Sequence, residues 1–297
     1  MGNNLKTVFW MAVLSAGLVT VGHLVAGSTG TVIAFVLALM MNGAAYWLSD
    51  RFALAMAGAR EVSPTEAPEL HRLVGNLALW FQVPKPRVYL SPQPSANAFA
   101  TGRNPQDAAI CVTEGLLNVL TERELRGVLA HEFAHIRNRD ILIGSVVAVL
   151  AGAITMLTDL PQWPLWFGSP QRQDRLGNPL GPLGLLLGLL LAPLAASLVQ
   201  LAVSRSREFE ADRTGAQVSG PRSLASALTK LEQAKRVLAA DPVRPAFAHL
   251  YIVSPLSEKT LARLFSTHPS VEKRVQRLQE MAGRAPVSTS YLSSSWS

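Results

Sequence analysis

The stretch GVLAHEFAHIRNRDILIGSVVAVL, from Gly127 to Leu150, decides the fold. Its first half carries two histidines and a glutamate. Its second half, from Ile141 onward, is apolar enough to begin a membrane crossing. Polar, metal-type chemistry therefore runs straight into a greasy segment, and the rest of the chain must account for that junction.

Upstream, Thr121-Glu-Arg-Glu124 has the Thr-x-x-Glu spacing of a capping box. A helix starting there places Leu125, Leu129, Phe133 and Ile136 on one apolar side and His131 with His135 roughly opposite. His131-Glu132-Phe133-Ala134-His135 is a His-Glu-x-x-His pentad. Residues four apart stack one turn over the next, so two imidazoles can reach one ion at Zn–N distances of about 2.0–2.1 Å. Glu132 projects about 100° round the helix from His131, where it can serve as general base toward a water at the metal. The capped helix, the polar face and the apolar x positions favour metal binding over surface decoration. Asn138 and Asp140 either tie the helix end to its surroundings or form a solvated end.

Downstream and upstream lie four apolar stretches near the roughly 20 residues that a bilayer core requires: Val8 to Gly27, Thr29 to Leu48, Ile141 to Leu160 and Leu183 to Val203, the last interrupted by Pro193. The first two, separated only around Gly27-Ser-Thr-Gly30, read as a tight helical hairpin and as a retained anchor rather than a cleaved signal. The composition agrees: 49% of residues are hydrophobic and only 16% charged, against roughly 25% in ordinary soluble proteins. A net charge of +7 could suggest nucleic acid, but no nucleic-acid motif appears. Segment Ser49 to Asp140 holds 10 Lys/Arg and segment Ser204 to Ser297 holds 14, which places both on the cytoplasmic side. The single cysteine, Cys111, excludes an internal disulfide and a Cys-based zinc site, and it reads as a buried small hydrophobe in a strand.

A catalytic zinc usually keeps three protein ligands and one open position. No His-x-x-Gly-x-x-His follows the pentad, so a carboxylate must come from elsewhere. Ser204-Arg-Ser-Arg-Glu-Phe-Glu-Ala-Asp212 begins where the fourth apolar stretch ends, on the face the chain left at Asp140. Glu208 and Asp212 are four apart and share one helical face, while Glu210 points elsewhere. Glu208 can ligate while Asp212 accepts from a ligating histidine's other ring nitrogen. Alternatively Glu208 pairs with Arg205 or Arg207.

With these motifs, the sequence resembles the HtpX-type membrane zinc metalloproteases, bacterial relatives of the CAAX prenyl endopeptidases. The resemblance covers nearly the whole chain. It rests on the N-terminal hairpin, Asn97-Ala-Phe-Ala-Thr-Gly-Arg-Asn-Pro105, Ala130-His-Glu-Phe-Ala-His135, the Ser204 to Asp212 segment and Ser266-Thr-His-Pro269. It implies one zinc ion per chain on His131, His135 and Glu208, with Glu132 catalytic. The implied fold is a mainly α integral membrane protein: about four transmembrane helices plus a cytosolic gluzincin-like α+β protease domain with a small sheet.

The expected organisation is a transmembrane hairpin over 1–49, the first part of the catalytic domain over 50–140 and a second hairpin over 141–203. The second part of the catalytic domain, over 204–283, and a disordered tail over 284–297 follow. The resemblance further implies a bacterial inner-membrane enzyme that clips misfolded or damaged membrane proteins on the cytoplasmic side. Asn97 to Gly102 resembles the strand beside the active site, open to substrate pairing, or is a turn. His268 either steadies an oxyanion or is a capping or surface histidine. The rival expectation is a zinc-stapled membrane interaction protein or holdase without turnover, against which the glutamate of the pentad argues.

Overall fold

The computed structural model describes residues 3–142, 146, 205–237, 251–253 and 269–284. The expected third apolar stretch beyond Val146, the fourth stretch, His268 and the tail beyond Arg284 lie outside the described residues.

Helix α1 spans Asn3–Met56 and is broken at Ala26 and Gly27, where Gly27 takes φ +56. Its two arms fold back on each other. Asn42 Nδ2 donates to Ser15 Oγ (2.8 Å), His23 Nδ1 lies 3.0 Å from Thr31 Oγ1, and the arms approach so closely at Gly22 and Gly30 that neither could carry a side chain without displacement. The hairpin is thus present, with its turn at Ala26–Gly27. Among the described residues one helix, Ala26–Ala44, is long and apolar enough to cross a membrane; the opposing Met11–Leu24 is shorter. Val32, Ile33, Leu39 and Met40 on that span are exposed, a lateral apolar surface suited to lipid. The second arm continues without a break through Met56, past the expected boundary at residue 49.

A four-stranded mixed sheet follows: β1 (Arg60–Glu61), β2 (Arg87–Ser91), β3 (Ala98–Thr101) and β4 (Ala109–Thr113), in the order β1-β2-β4-β3. β2 and β4 are parallel, with Arg87 opposite Ala109; β3 runs antiparallel to β4, with Ala100 opposite Ile110. Successive residues of β4 serve opposite faces, as the pleat requires. Ile110 and Val112 join the main core, whereas Ala109 and Cys111 meet Ala53, Leu54, Ala57 and Phe99 on the other side. The end of α1 therefore covers one face of the sheet. Burial there pushes the Cys111 thiol up to about 12, in keeping with a small core hydrophobe.

The main core holds α2 (Pro68–Phe81), α3 (Glu114–Val119), α4 (Glu122–Arg137), α5 (Arg205–Ser219), α6 (Pro221–Val237) and α7 (Val271–Arg284). The capping box of α4 forms: Thr121 Oγ1 accepts from Glu124 N, and Glu124 Oε2 accepts from Thr121 N at 2.8 Å. The same Glu124 reaches α6, taking hydrogen bonds from Ser226 Oγ (2.6 Å) and Lys230 Nζ (2.8 Å). Burial works against its charge, but Lys230, Ser226 and Thr121 outweigh it and hold the carboxyl down at about 2.

Candidate active site

Two helices build the site. α4 presents Gly127, His131 and His135 one turn apart, and α5 presents Gly215, Asp212 and Glu208 in the opposite order. A side-chain carbon on Gly215 would lie 3.1 Å from Gly127 O and 3.2 Å from His131 N. The bare Gly215 lets α5 meet the backbone of α4 at Gly127 and His131. One turn further along, that closeness brings Asp212 to His131 and Glu208 to both histidines.

The donor atoms converge. His131 Nε2 and His135 Nε2 are 3.3 Å apart, and the Glu208 oxygens lie 3.6 Å from the first and 3.5 Å from the second. All three ligand-type atoms fall within 4.8 Å of one another. Two nitrogens on a tetrahedral zinc at 2.0–2.1 Å would stand about 3.3–3.4 Å apart. The His2Glu set therefore fits zinc, both in spacing and in the chemistry of its donors. Two ring nitrogens face one another across a buried carboxylate, an arrangement that a cation between them satisfies.

Behind each histidine stands a carboxylate, and behind each carboxylate an arginine. His131 Nδ1 lies 3.0 Å from Asp212 Oδ1, off the ring N–H direction, and His135 Nδ1 lies 3.1 Å from Asp140 Oδ2. Such outer partners hold imidazoles in place for a metal. Arg207 Nη1 donates to Asp140 Oδ1 at 3.0 Å. Arg274, only 1% exposed, clamps Asp212 through Nε (2.7 Å) and Nη2 (2.6 Å) and donates Nη1 to Ile252 O at 2.6 Å. Burial opposes the Asp212 charge, but Arg274 and His131 hold its carboxyl far below the usual range. Burial likewise opposes a charge on His135, yet the Asp140 hydrogen bond and the Glu208 and Glu132 carboxylates raise it to about 9 without a metal.

Asp140 reaches His135 because α4 ends abruptly. Arg139 adopts a left-handed conformation (φ +59), Asp140 N donates back to His135 O at 2.9 Å, and the chain curls under the histidine. This is a Schellman-type end with arginine where glycine is usual.

Glu132 is also held. Its Oε2 accepts from Ala100 N of β3 at 2.9 Å. Among the described residues β3 is the outer strand of the sheet, and its Ala100 amide, which faces away from β4, is turned on the pentad glutamate. Asn97, buried just before β3, accepts from Ile252 N through Oδ1 (3.2 Å), donates its backbone N–H to Thr113 Oγ1 (2.9 Å) and accepts from Thr113 N through its carbonyl (3.0 Å). His131, His135, Glu208, Glu132 and Asp212 are thus brought together. Asn97 joins the same neighbourhood through the 251–253 segment, and Glu210 is exposed.

Spacing alone leaves Asp140 open, offers Arg207 only as a partner for Glu208, and gives no role to Arg274 or the Ala100 amide. Arg274 did carry a signal. It falls on the core face of α7 beside Val271, Val275 and Leu278, where an arginine requires a buried anion. Ala100 carried none, since a backbone donor has no residue-type signature.

The profile of peptidase family M48 matches residues 64–282. A protein described as a protease HtpX homolog from Syntrophobacter fumaroxidans is 49% identical over 282 residues, covering 95% of this chain and 100% of its own. Another so described from Pyrococcus furiosus is 50% identical over 278 residues, covering 93% and 95%. The crystal structure of S. mikatae Ste24p is a distant likeness at 17% identity and a TM-score of 0.49, covering 93% of this chain and 64% of that one. With this agreement over nearly the full length and the pentad standing within the matched residues, the chain belongs to peptidase family M48, as a protease of the HtpX type.

Proposed function

We propose that this protein is a multi-pass, zinc-dependent endopeptidase of the bacterial inner membrane. It cleaves unfolded or damaged membrane proteins on the cytoplasmic side. The observation that carries the reading is the convergence of His131, His135 and Glu208 beside a glutamate held by an edge strand. A zinc ion on those three residues would act as a Lewis acid toward the scissile carbonyl and make water nucleophilic at neutral pH.

The remaining work falls to the chain itself. Ala100 N–H fixes Oε2 of Glu132, which leaves Oε1 to take a proton from the attacking water and return it to the leaving amine. With the Ala100 amide taken by Glu132, the remaining outward backbone groups of β3 can hold an extended substrate as an added strand. Asp212 and Asp140 keep the imidazoles aimed. His268 is a candidate donor to the developing oxyanion. Substrates in the bilayer suit a site whose helix α4 leads, within a few residues, into the apolar stretch starting at Ile141.

The test compares detergent-purified, zinc-loaded protein with Glu132→Gln on an unfolded model substrate and a panel of membrane proteins. Cleavage by the wild type alone, with equal zinc content, supports the reading. Equal cleavage by both sinks the role of Glu132. No cleavage of any substrate, with zinc bound and the fold intact, favours a zinc-stapled holdase.

A further inference from the structure

The apolar stripe of α2 is buried along its length, at Leu70, Leu73, Val74, Leu77, Ala78 and Phe81. At its last turn two apolar side chains leave the stripe: Leu79 is 79% exposed and Trp80 47%. The helix stops there sharply, with Gln82 in the left-handed conformation. Nothing in the protease mechanism uses this tip.

Its place in the fold indicates what covers it. Arg87, which opens β2 six residues after Phe81, donates to Asp50 at 3.1 Å, and Asp50 lies six residues past the end of the Ala26–Ala44 span. On the same side, the Arg103 guanidinium sits 4.5 Å over the exposed Trp47 ring, three residues past the span. The end of α4 is there too, since Arg137 stacks 5.4 Å over Phe81. The α2 tip therefore shares a face with the base of the span.

That face is basic. Arg51, Lys85, Arg137 and Arg139 are exposed, and no carboxylate pairs with them among the described residues. Tryptophan and leucine ringed by arginine and lysine is the composition of a surface that dips into headgroups of negative charge.

We propose that the last turn of α2 is a second membrane contact, in which Leu79 and Trp80 enter the headgroup layer and Lys85, Arg137 and Arg139 engage anionic lipid phosphates. The catalytic domain then lies against the bilayer at two points, the base of α1 and the tip of α2. The inference does not depend on protease activity.

The test places an environment-sensitive fluorophore at Leu79→Cys; the buried native Cys111 does not compete for the label. Glu69→Cys at the opposite end of α2, about 15 Å away at 1.5 Å per residue, reports water. Leu39→Cys reports the span. Each is reconstituted in bilayers of phosphatidylcholine alone and of phosphatidylcholine with phosphatidylglycerol, with and without lipid-borne spin labels. The expected result is a blue shift and quenching at position 79 that grow with phosphatidylglycerol and diminish in Arg137→Gln/Arg139→Gln. Position 69 stays water-like and position 39 is quenched throughout. A water-like signal at 79 in both bilayers overturns the proposal, and an equal shift in both overturns recognition of anionic lipid. A shift that instead follows protein concentration in detergent assigns the tip to a second copy of the chain. Failure of quenching at 39 removes the membrane reading and the proposal with it.

Discussion

Arg274 and Asp212 form a two-point ion pair inside the protein, Nε to Oδ2 at 2.7 Å and Nη2 to Oδ1 at 2.6 Å, although 62 residues separate them. Helix α7 thereby braces the carboxylate behind His131. Asp212→Asn keeps the shape and removes the charge, and zinc affinity is expected to fall about 10–100-fold, read by competition with a chelator. Arg274→Met strands Asp212 as a buried anion and should cost about 3–5 kcal/mol in thermal unfolding, much of it recovered in Arg274→Met/Asp212→Leu.

Metal uptake should depend on pH through His135. With its pKa raised to about 9, the metal-free imidazole is protonated at neutral pH and must lose that proton to ligate. Zinc affinity is expected to rise with pH and level off above about 9. Calorimetry in buffers of different ionisation enthalpy would show proton release at neutral pH, fading above that value. The stability of the metal-free form runs the opposite way. A raised histidine pKa contributes fully below its ordinary value near 6.5, and the contribution is lost as pH climbs through about 9.

Ala100→Pro deletes the amide that holds Glu132 while sparing the β3–β4 pairing, because that amide faces away from β4. The expected outcome is unchanged zinc content with kcat reduced about 10- to 100-fold, since misplacing a catalytic group costs on that scale. Loss of zinc in this variant would assign the bond to the fold instead.

Glu124→Gln tests the anchor of α4. It weakens the capping box and the links to Ser226 and Lys230, and thermal unfolding should show a loss of about 1–2 kcal/mol. Because the folded carboxyl titrates at about 2, its contribution is present above its ordinary range and lost as pH falls through about 2. The difference between wild type and variant should therefore shrink in acid.

Much of this was legible from local spacing. The capping box, the stacked histidines and the shared face of Glu208 and Asp212 all follow from 3.6 residues per turn. The strand at Ala109–Thr113 followed from its apolar run. What spacing does not encode is which distant surface meets which. The approach of α5 to α4 depends on Gly215 being bare against the backbone of Gly127, and Gly215 does not announce a partner 88 positions away. Asp140 found His135 only because Arg139 turns left-handed, a conformation arginine does not advertise. The continuation of α1 past residue 49 is hidden from spacing for a related reason. Hydropathy marks where lipid ends, whereas α1 continues to Met56 because Ala53, Leu54 and Ala57 have a sheet to cover.

That cover has a practical consequence for anyone wishing to produce the enzyme without its N-terminal hairpin. A truncation at residue 64, where the family match begins, would remove Ala53, Leu54 and Ala57 and leave Phe99, Ala109 and Cys111 on bare, sticky ground. Such a fragment should be less stable than one cut ahead of Asp50, even though His131, Glu132, His135 and Glu208 are retained. A cut just ahead of Asp50 keeps the lid on the sheet and the Asp50–Arg87 tie with it. The last turns of the anchor helix belong, for purposes of expression, to the enzyme rather than to the membrane.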